Sequence, residues 1–469
     1  MPNWLSELLP ILLLLGAITL VVTRLPKVEL GHSGAFRARR FRNWFPVGLT
    51  YAFLYFGRYN LNRAADYLFD NEQFSNIYAV GTVVYGISFV INGPLADRFG
   101  GKKTILAAGL GALAANLGMG VLAANALPPG VIARAGRPHA SDSLVHGFMA
   151  LYALNMYFQS FGAVSIVKIN AAWFHLRERG TFGGIFGVLI SLGLYFAFDW
   201  SKLIVRNAPV AYAFYVPAML LGLFTIINVA LVKDTPGLAG HDDFDVGDAS
   251  SGDDGSEKLS VLEVAMKMFR NPAIVTIACI EFCSGYLRNA IMQYYPKFIR
   301  GIGATGVFVN EHWGMLLCVA GITGGMVAGV ISDKVFESRR GPVSAVLYGV
   351  MIAGSLAMFA ALGTAALGWV VVLMSLAIIG VHGMLSGTAS MDFGGKRNVG
   401  VAVGLIDGFV YLGTALEAVV LGQVLPKGDA ARDPAQWWTW PAAIVPVAVI
   451  GFLLALRVWN ARVAPKGAH

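Results

Sequence analysis

Long apolar runs, broken by short basic or glycine-rich interruptions, set the pattern of this chain. Twelve of them fall at about 44–68, 76–96, 104–127, 143–170, 181–199 and 210–232, then 273–298, 312–332, 343–363, 366–390, 400–425 and 439–458. Each is near or above the roughly 20 residues that a helix needs to cross the hydrocarbon core of a bilayer. A further apolar stretch, Trp4 to Val22, precedes them. Basic residues follow that stretch rather than lead it, and no small-residue cleavage site comes after, so an uncleaved extra helix is expected. Between the two sets of six lies a polar segment with Asp242, Asp243, Asp245, Asp248, Asp253 and Asp254 among Gly and Ser. Its composition is that of a solvated linker.

The expected fold is therefore an all-α integral membrane protein. Residues 1–43 form an extra N-terminal helix with a basic segment, 44–232 a first six-helix bundle, 233–272 an acidic linker, and 273–469 a second six-helix bundle and tail. Composition agrees: 56% of the 469 residues are hydrophobic and 13% charged, with a mean hydropathy of +0.64, whereas soluble domains carry about 25% charged residues.

The formal charge of +8 would suggest a nucleic-acid partner in a soluble protein. Here its distribution explains it. Of the 35 Lys and Arg residues, 24 fall in interruptions assigned to one side and 8 to the other. By the positive-inside rule, the linker and the C-terminus are cytoplasmic. The expected location is the inner (plasma) membrane. Cys279, Cys283 and Cys318 all lie in apolar runs, which implies neither a disulfide framework nor a metal site. No phosphate loop or metalloprotease motif is present, so no enzyme, cofactor or metal is expected.

Two arginines stand deep in the apolar pattern. Arg58 stands in the run from Tyr51 to Asn62, about 21 Å along a helix from Trp44. Arg288 stands similarly in the run after Ala273. A guanidinium stays charged at any ordinary pH. Near a bilayer centre it costs roughly 3 kcal/mol or more unless it faces a polar cavity. The alternative for each arginine is an ion pair within the bundle, with Glu281, Asp407 and Glu417 as the available acids. Glu281 lies seven residues before Arg288, about 10 Å along the axis, too far for good pairing.

The interruptions also repeat. Gly93-Pro-Leu-Ala-Asp97-Arg98-Phe-Gly-Gly-Lys102-Lys103 follows the second core run, and Gly329-Val-Ile-Ser-Asp333-Lys334 follows the eighth, 236 residues on. Arg58 and Arg288 are offset by 230. Recurrence of this kind marks a duplicated transporter fold. The glycine allows close helix approach, and the aspartate can accept from a neighbouring helix N-terminus. This loop resembles the signature of the major facilitator superfamily. That resemblance implies two pseudo-symmetric six-helix halves, with Gly93, Asp97, Arg98, Gly329, Asp333 and Lys334 as a latch on alternation between inward-open and outward-open states. A loop that merely sets topology is the alternative.

A narrower resemblance lies in Tyr51-x-x-x-Tyr55-x-x-Arg58-x-Asn60. It is similar to the first-helix motif of the organophosphate:phosphate antiporters, the group of the bacterial glycerol-3-phosphate and hexose-phosphate transporters. Tyr286-Leu-Arg288 to Tyr295-Pro296, Lys233-Asp-Thr-Pro, Ser332-Asp-Lys-Val-Phe336 and Gly408-Phe-Val-Tyr411-Leu-Gly413 resemble further parts of that family. The likeness covers about 42 to 460. Tyr59, Phe89, Ile190 and Cys318 depart from it, standing where the glycerol-phosphate carriers have two lysines, a histidine and an acid. The resemblance implies exchange of an organic phosphate for inorganic phosphate by alternating access. It also implies substrate contacts at Tyr286 and Tyr411.

The residues themselves support an anion clamp. Guanidinium forks match phosphate oxygens in bidentate pairs, and two monocations match the charge of a phosphate monoester near neutral pH. Two facing charges repel in an empty, closed cavity, so the carrier is expected to cross loaded in both directions. Tyr51, Tyr55, Asn60 and His382 are candidate polar neighbours, with ordinary helix packing and a buried hydrogen-bonded histidine as the alternatives. Glu281 and Asp407 are candidates for proton coupling. They keep open a proton-coupled symporter of an anion or sugar. A transporter-like membrane sensor of a phosphorylated metabolite is the reading from another class, with the extra helix as the docking element for a partner protein.

Overall fold

The computed structural model describes residues 32–127, 140–175, 179–246, 266, 269–304, 306–336 and 339–460, with the side chains of 71, 179–186, 330, 333–334 and 387–398 excluded. The expected extra helix at 4–22 and the centre of the acidic linker lie outside the described residues.

Every described element is helical. In the first half these are α1 (Gly34–Tyr59), α2 (Leu61–Leu68), α3 (Asn71–Phe99), α4 (Gly101–Ala126), α5 (Asp142–Trp173), α6 (Arg179–Tyr195), α7 (Ser201–Asn207) and α8 (Tyr212–Leu231). In the second half they are α9 (Pro272–Met292), α10 (Tyr294–Gly301), α11 (Trp313–Val335), α12 (Arg340–Ala361), α13 (Ala366–His382), α14 (Ser390–Val424) and α15 (Thr439–Arg457). Ten described helical spans are long and apolar enough to cross a membrane. The two expected runs missing from that set are present as helices: α1, whose first turns carry Arg37, Arg39, Arg40 and Arg42, and α11.

Local chemistry fixes the ends. Ser33 accepts from the Phe36 amide at the start of α1, Asp70 and Gln73 form a reciprocal capping box on α3, and Asn271 caps α9 ahead of Pro272. Three boundaries correct the sequence expectation. The run 44–68 is not one helix but breaks at Asn60, whose Oδ1 accepts from the Leu61 amide. The run 181–199 passes through a π-helical stretch, Phe196–Trp200, before α7. Helical backbone also occupies 390–399, where a loop was expected, and α13 joins α14 through π-helical Gly383–Ala389.

α3 packs on α14 along the seam between the halves, and α6 packs on α11 in the second such pair. The first seam is built from bare backbone. A methyl group on Gly93 would overlap the Gly400 carbonyl, one on Gly404 the Phe89 carbonyl, and one on Gly408 would crowd the Gly86 carbonyl. Glycine permits that close approach. The loop motif lies at one end of the bundle, here the motif end. Gly100 turns the chain there at φ +89°, and the Lys102 amide donates to Asp234 at 2.7 Å, tying the linker's start to the turn. The opposite end is the far end.

Candidate functional site

Arg58 and Arg288 come together at the middle of the bundle, one from each half. Arg58 is 1% exposed. Its Nε donates to Gln159 Oε1 at 2.9 Å, and its Nη1 donates to the Tyr411 hydroxyl at 2.7 Å. The rings of Tyr55 and Tyr85 flank the guanidinium, with centroids at 4.5 and 4.3 Å. Nη2 has no hydrogen-bond partner. Arg288 is 4% exposed, and neither Nη1 nor Nη2 has one. Its guanidinium lies 5.4 Å from the centroid of the Tyr411 ring, so Tyr411 stands against both arginines. Three guanidinium nitrogens are thus buried without a partner. Buried polar groups normally find one.

A polar network holds Arg58 in position. Gln159 Nε2 donates to Asn155 Oδ1 at 3.0 Å, Asn155 Nδ2 donates to the Gly57 carbonyl at 2.9 Å, and Asn116 Nδ2 reaches the same carbonyl at 3.1 Å. The sequence reading missed Asn116, Asn155 and Gln159. Their signal was available, since Asn155 and Gln159 sit four apart on one face of an otherwise apolar helix. Tyr85 was missed as well, and its hydroxyl is buried and unpartnered like that of Tyr55.

The other expected residues divide. Tyr51 packs edge-on against Tyr55 at 5.2 Å. Asn60 does not face the arginines. It donates to Asn116 Oδ1 and to the Ala213 carbonyl, both at 2.9 Å, so the break in the first helix consumes its side chain. Tyr286 is buried with no hydrogen bond to either arginine, and its charged neighbour is Glu417. His382 Nδ1 lies 2.8 Å from Glu281 Oε2, the buried hydrogen-bonded histidine that was the alternative. Glu281 Oε1 and Ser284 Oγ remain without partners. Asp407 accepts from Ser386 at 2.5 Å. None of Glu281, Asp407 and Glu417 forms an ion pair with an arginine among the described residues. Glu417 accepts from Asn289, which in turn accepts from the Tyr78 hydroxyl at 2.9 Å.

At the motif end, Asp97 accepts from the Gly400 and Val401 amides of α14 at 3.2 and 3.0 Å and pairs with Lys168 at 2.6 Å. Arg98 points outward over Phe99. In the second copy, a side chain placed on Gly329 would meet nothing within 4 Å among the described residues. Packing falls instead on Gly324, against the Leu376 carbonyl. The side chains of Asp333 and Lys334 lie outside the described residues.

A contact that the sequence did not announce closes the far end. Asp199, in the π-helical stretch, accepts from the Gly314 and Met315 amides at the start of α11, at 3.0 and 2.8 Å. Beside it Lys202 pairs with Glu311 at 2.5 Å, and Arg300 pairs with Asp66 at 3.0 Å. Both ends of the bundle are thus bridged across the halves while the arginines lie buried between them.

Known proteins share this organisation. The chain is 25% identical over 459 residues to the membrane sensor protein UhpC of Salmonella typhimurium, covering 92% of this chain and 95% of that one. It is 26% identical over 419 residues to the glycerol-3-phosphate transporter of Bacillus subtilis, covering 84% and 88%. A probable hexose phosphate transport protein of Chlamydia pneumoniae is 25% identical over 450 residues, covering 90% and 91%. Among solved structures, a D-xylose-proton symporter superposes with a TM-score of 0.61 at 15% identity, over 91% of this chain and 99% of that one, and so shares the fold. The model of the Major Facilitator Superfamily matches residues 47–416, well over half of the sequence. The chain belongs to the Major Facilitator Superfamily.

Proposed function

We propose that this membrane transporter exchanges an organic phosphate for inorganic phosphate by alternating access, with Arg58 and Arg288 as the two jaws of an anion clamp. One observation carries the proposal: a buried guanidinium from each half converges on Tyr411, with three nitrogens left unpaired. Phosphate supplies pairs of acceptor oxygens that match the guanidinium fork, and about two negative charges in one group. The glycerol-phosphate and hexose-phosphate relatives point to the same class of substrate. Tyr55 and Tyr411 line the clamp, and Glu281, Ser284 and Asp407 are the polar groups available to the organic portion. The motif end faces the cytoplasm of a plasma-membrane protein, as the distribution of basic residues suggests.

The test is uptake of labelled inorganic phosphate into proteoliposomes preloaded with phosphate, against vesicles holding none. Uptake into loaded vesicles alone, inhibited by organic phosphates, is the expected outcome. Uptake into unloaded vesicles driven by a pH gradient sinks the exchange reading. The buried Glu281–His382 contact favours such a proton-coupled carrier as the second reading. Absence of uptake by folded protein that binds phosphate would assign it a sensing role, the role carried in the name of one relative.

A further inference from the structure

Glu417 is a buried acid that the arginine clamp does not use. It stands on α14 at 0% exposure and forms no ion pair among the described residues. Its Oε2 accepts from Asn289 Nδ2, and its Oε1 has no hydrogen-bond partner. The titratable groups that face it are Tyr78 of α3, Tyr286 of α9, and Tyr294 and Lys297 of α10. The Lys297 ammonium lies over the rings of Phe74 and Tyr294, 4.9 and 4.3 Å from their centroids. An ionised carboxylate held by one neutral donor costs far more to bury than the neutral acid.

This acid sits behind a joint between the halves. The Tyr78 hydroxyl, from the first half, donates at 2.9 Å to Asn289 Oδ1, and Asn289 is the residue that donates to Glu417. Two small spaces approach the joint from the far end. The outer one, between the α2 turn and α10, has a volume of about 20 Å³. The inner one, about 10 Å³, is bounded by Tyr78, Asn289 and Ala418, the neighbour of Glu417. Gln293 and Lys297 line both, so the spaces adjoin. Each is about the size of one water. Gln293 Nε2, buried with no partner, is a donor suited to water between them. Parting of the far end breaks the Tyr78–Asn289 bond and widens this route. A carboxyl reached by water ionises near its ordinary pKa of about 4.3.

We propose that Glu417 is a proton-binding site served from the far end, loaded whenever the halves close there. The carboxylate takes a proton from far-end water as the Tyr78–Asn289 joint forms over it, and returns the proton to that water when the joint parts. One O–H bond forms on closing and breaks on opening, and nothing else is consumed. The proton is a condition of closure rather than cargo, so the site acts whichever solute the arginines hold. Closure of the far end is therefore favoured while a proton is available and weakens as pH rises from neutral to alkaline, well above the range in which Glu311 titrates.

Spin labels at Ser143→Cys and Asp429→Cys, exposed far-end positions in opposite halves, test it by pulsed electron paramagnetic resonance. The full chain is measured in phosphatidylcholine nanodiscs without phosphate, its three native cysteines replaced by alanine. In this parent the population with widely separated labels grows several-fold from neutral to alkaline pH. In Glu417→Gln, whose neutral amide imitates the protonated acid, it stays at the parent's neutral-pH level. In Glu417→Asp, which keeps a titratable carboxyl, it grows again with a shifted midpoint. Growth in Glu417→Gln equal to the parent's overturns the site, and so does a parent population that does not change with pH. Where Glu417→Gln does not fold, an unshifted midpoint in Glu417→Asp overturns it. Phosphate is absent throughout, so failure of the arginine clamp leaves each of these outcomes unchanged.

Discussion

The Arg58 guanidinium, carried by the first half, donates to the hydroxyl of Tyr411 in the second half at 2.7 Å. A neutral phenol thus takes a position that a phosphate oxygen would contest. Hydrogen bonds to charged groups contribute about 1.5–3 kcal/mol. Tyr411→Phe should lower the melting temperature in phosphate-free buffer, and added phosphate should recover most of the loss. An unchanged melting temperature would show that the bond does not hold the halves together.

In the proposed clamp, removing either arginine would leave phosphate buried with half its charge unmatched. Breaking a buried pair costs about 3–5 kcal/mol, a factor of 10² to 10³ or more in binding. Arg58→Ala and Arg288→Ala should therefore abolish phosphate exchange while inserting normally. Arg288→Lys keeps the charge but loses the planar fork and should still fall at least tenfold. Retained exchange in either alanine variant removes the clamp from the mechanism.

Asp97 and Asp199 make the same contact at opposite ends of the molecule, each accepting from two successive amides of a helix in the other half. Asp97→Asn should raise the labelling of cysteines introduced at the motif end, and Asp199→Asn that of cysteines at the far end. Gly314→Ala should behave like Asp199→Asn, because a methyl there would overlap the Asp199 carboxylate. If both aspartate variants open the same end, the pairing of latches is wrong.

Acid should loosen the far end. The hydrogen bond from Lys202 holds the Glu311 carboxyl below the ordinary glutamate range. A lowered value means that the contribution is present above the ordinary pKa of about 4.3 and is lost as pH falls through the lowered one. The pair is partly exposed, so the effect is small. Labelling at the far end should rise on acidification below that range in the wild type, and the rise should shrink in Glu311→Gln.

The two loop glycines should respond differently. Gly93→Ala forces a methyl onto the Gly400 carbonyl and should cost about 1–3 kcal/mol, with loss of transport. Gly329→Ala meets nothing within 4 Å among the described residues and should leave melting temperature and transport near wild type. Equal damage at both positions would mean that packing does not separate the copies.

The positions of the helices and both arginines were legible because hydrocarbon enforces long apolar runs and makes a charge within them conspicuous. The Asp97 contact was legible only as a type of interaction, carboxylate to backbone amide, because Gly400 and Val401 lie inside α14 rather than at its start. Asn60 misled, because a polar residue two positions from an arginine looks the same whether it faces a cavity or satisfies a broken helix. Asp199 was illegible for a different reason. Its reach depends on a π-helical turn that shifts the register of the chain, and no residue spacing announces that shift.

The seam between α3 and α14 has a mechanical meaning beyond its closeness. Gly86, Gly93, Gly400, Gly404 and Gly408 leave few side chains there to interlock. Interdigitated side chains resist sliding, since each must climb out of its hole before the next is reached. Backbone against backbone offers shallow relief, and its dispersion contacts persist through small rotations. Such a surface works as a plain bearing, tight enough to exclude water yet with little friction between adjacent registers. Enlarging a residue on it would act less on the height of one state than on the ease of every passage between states.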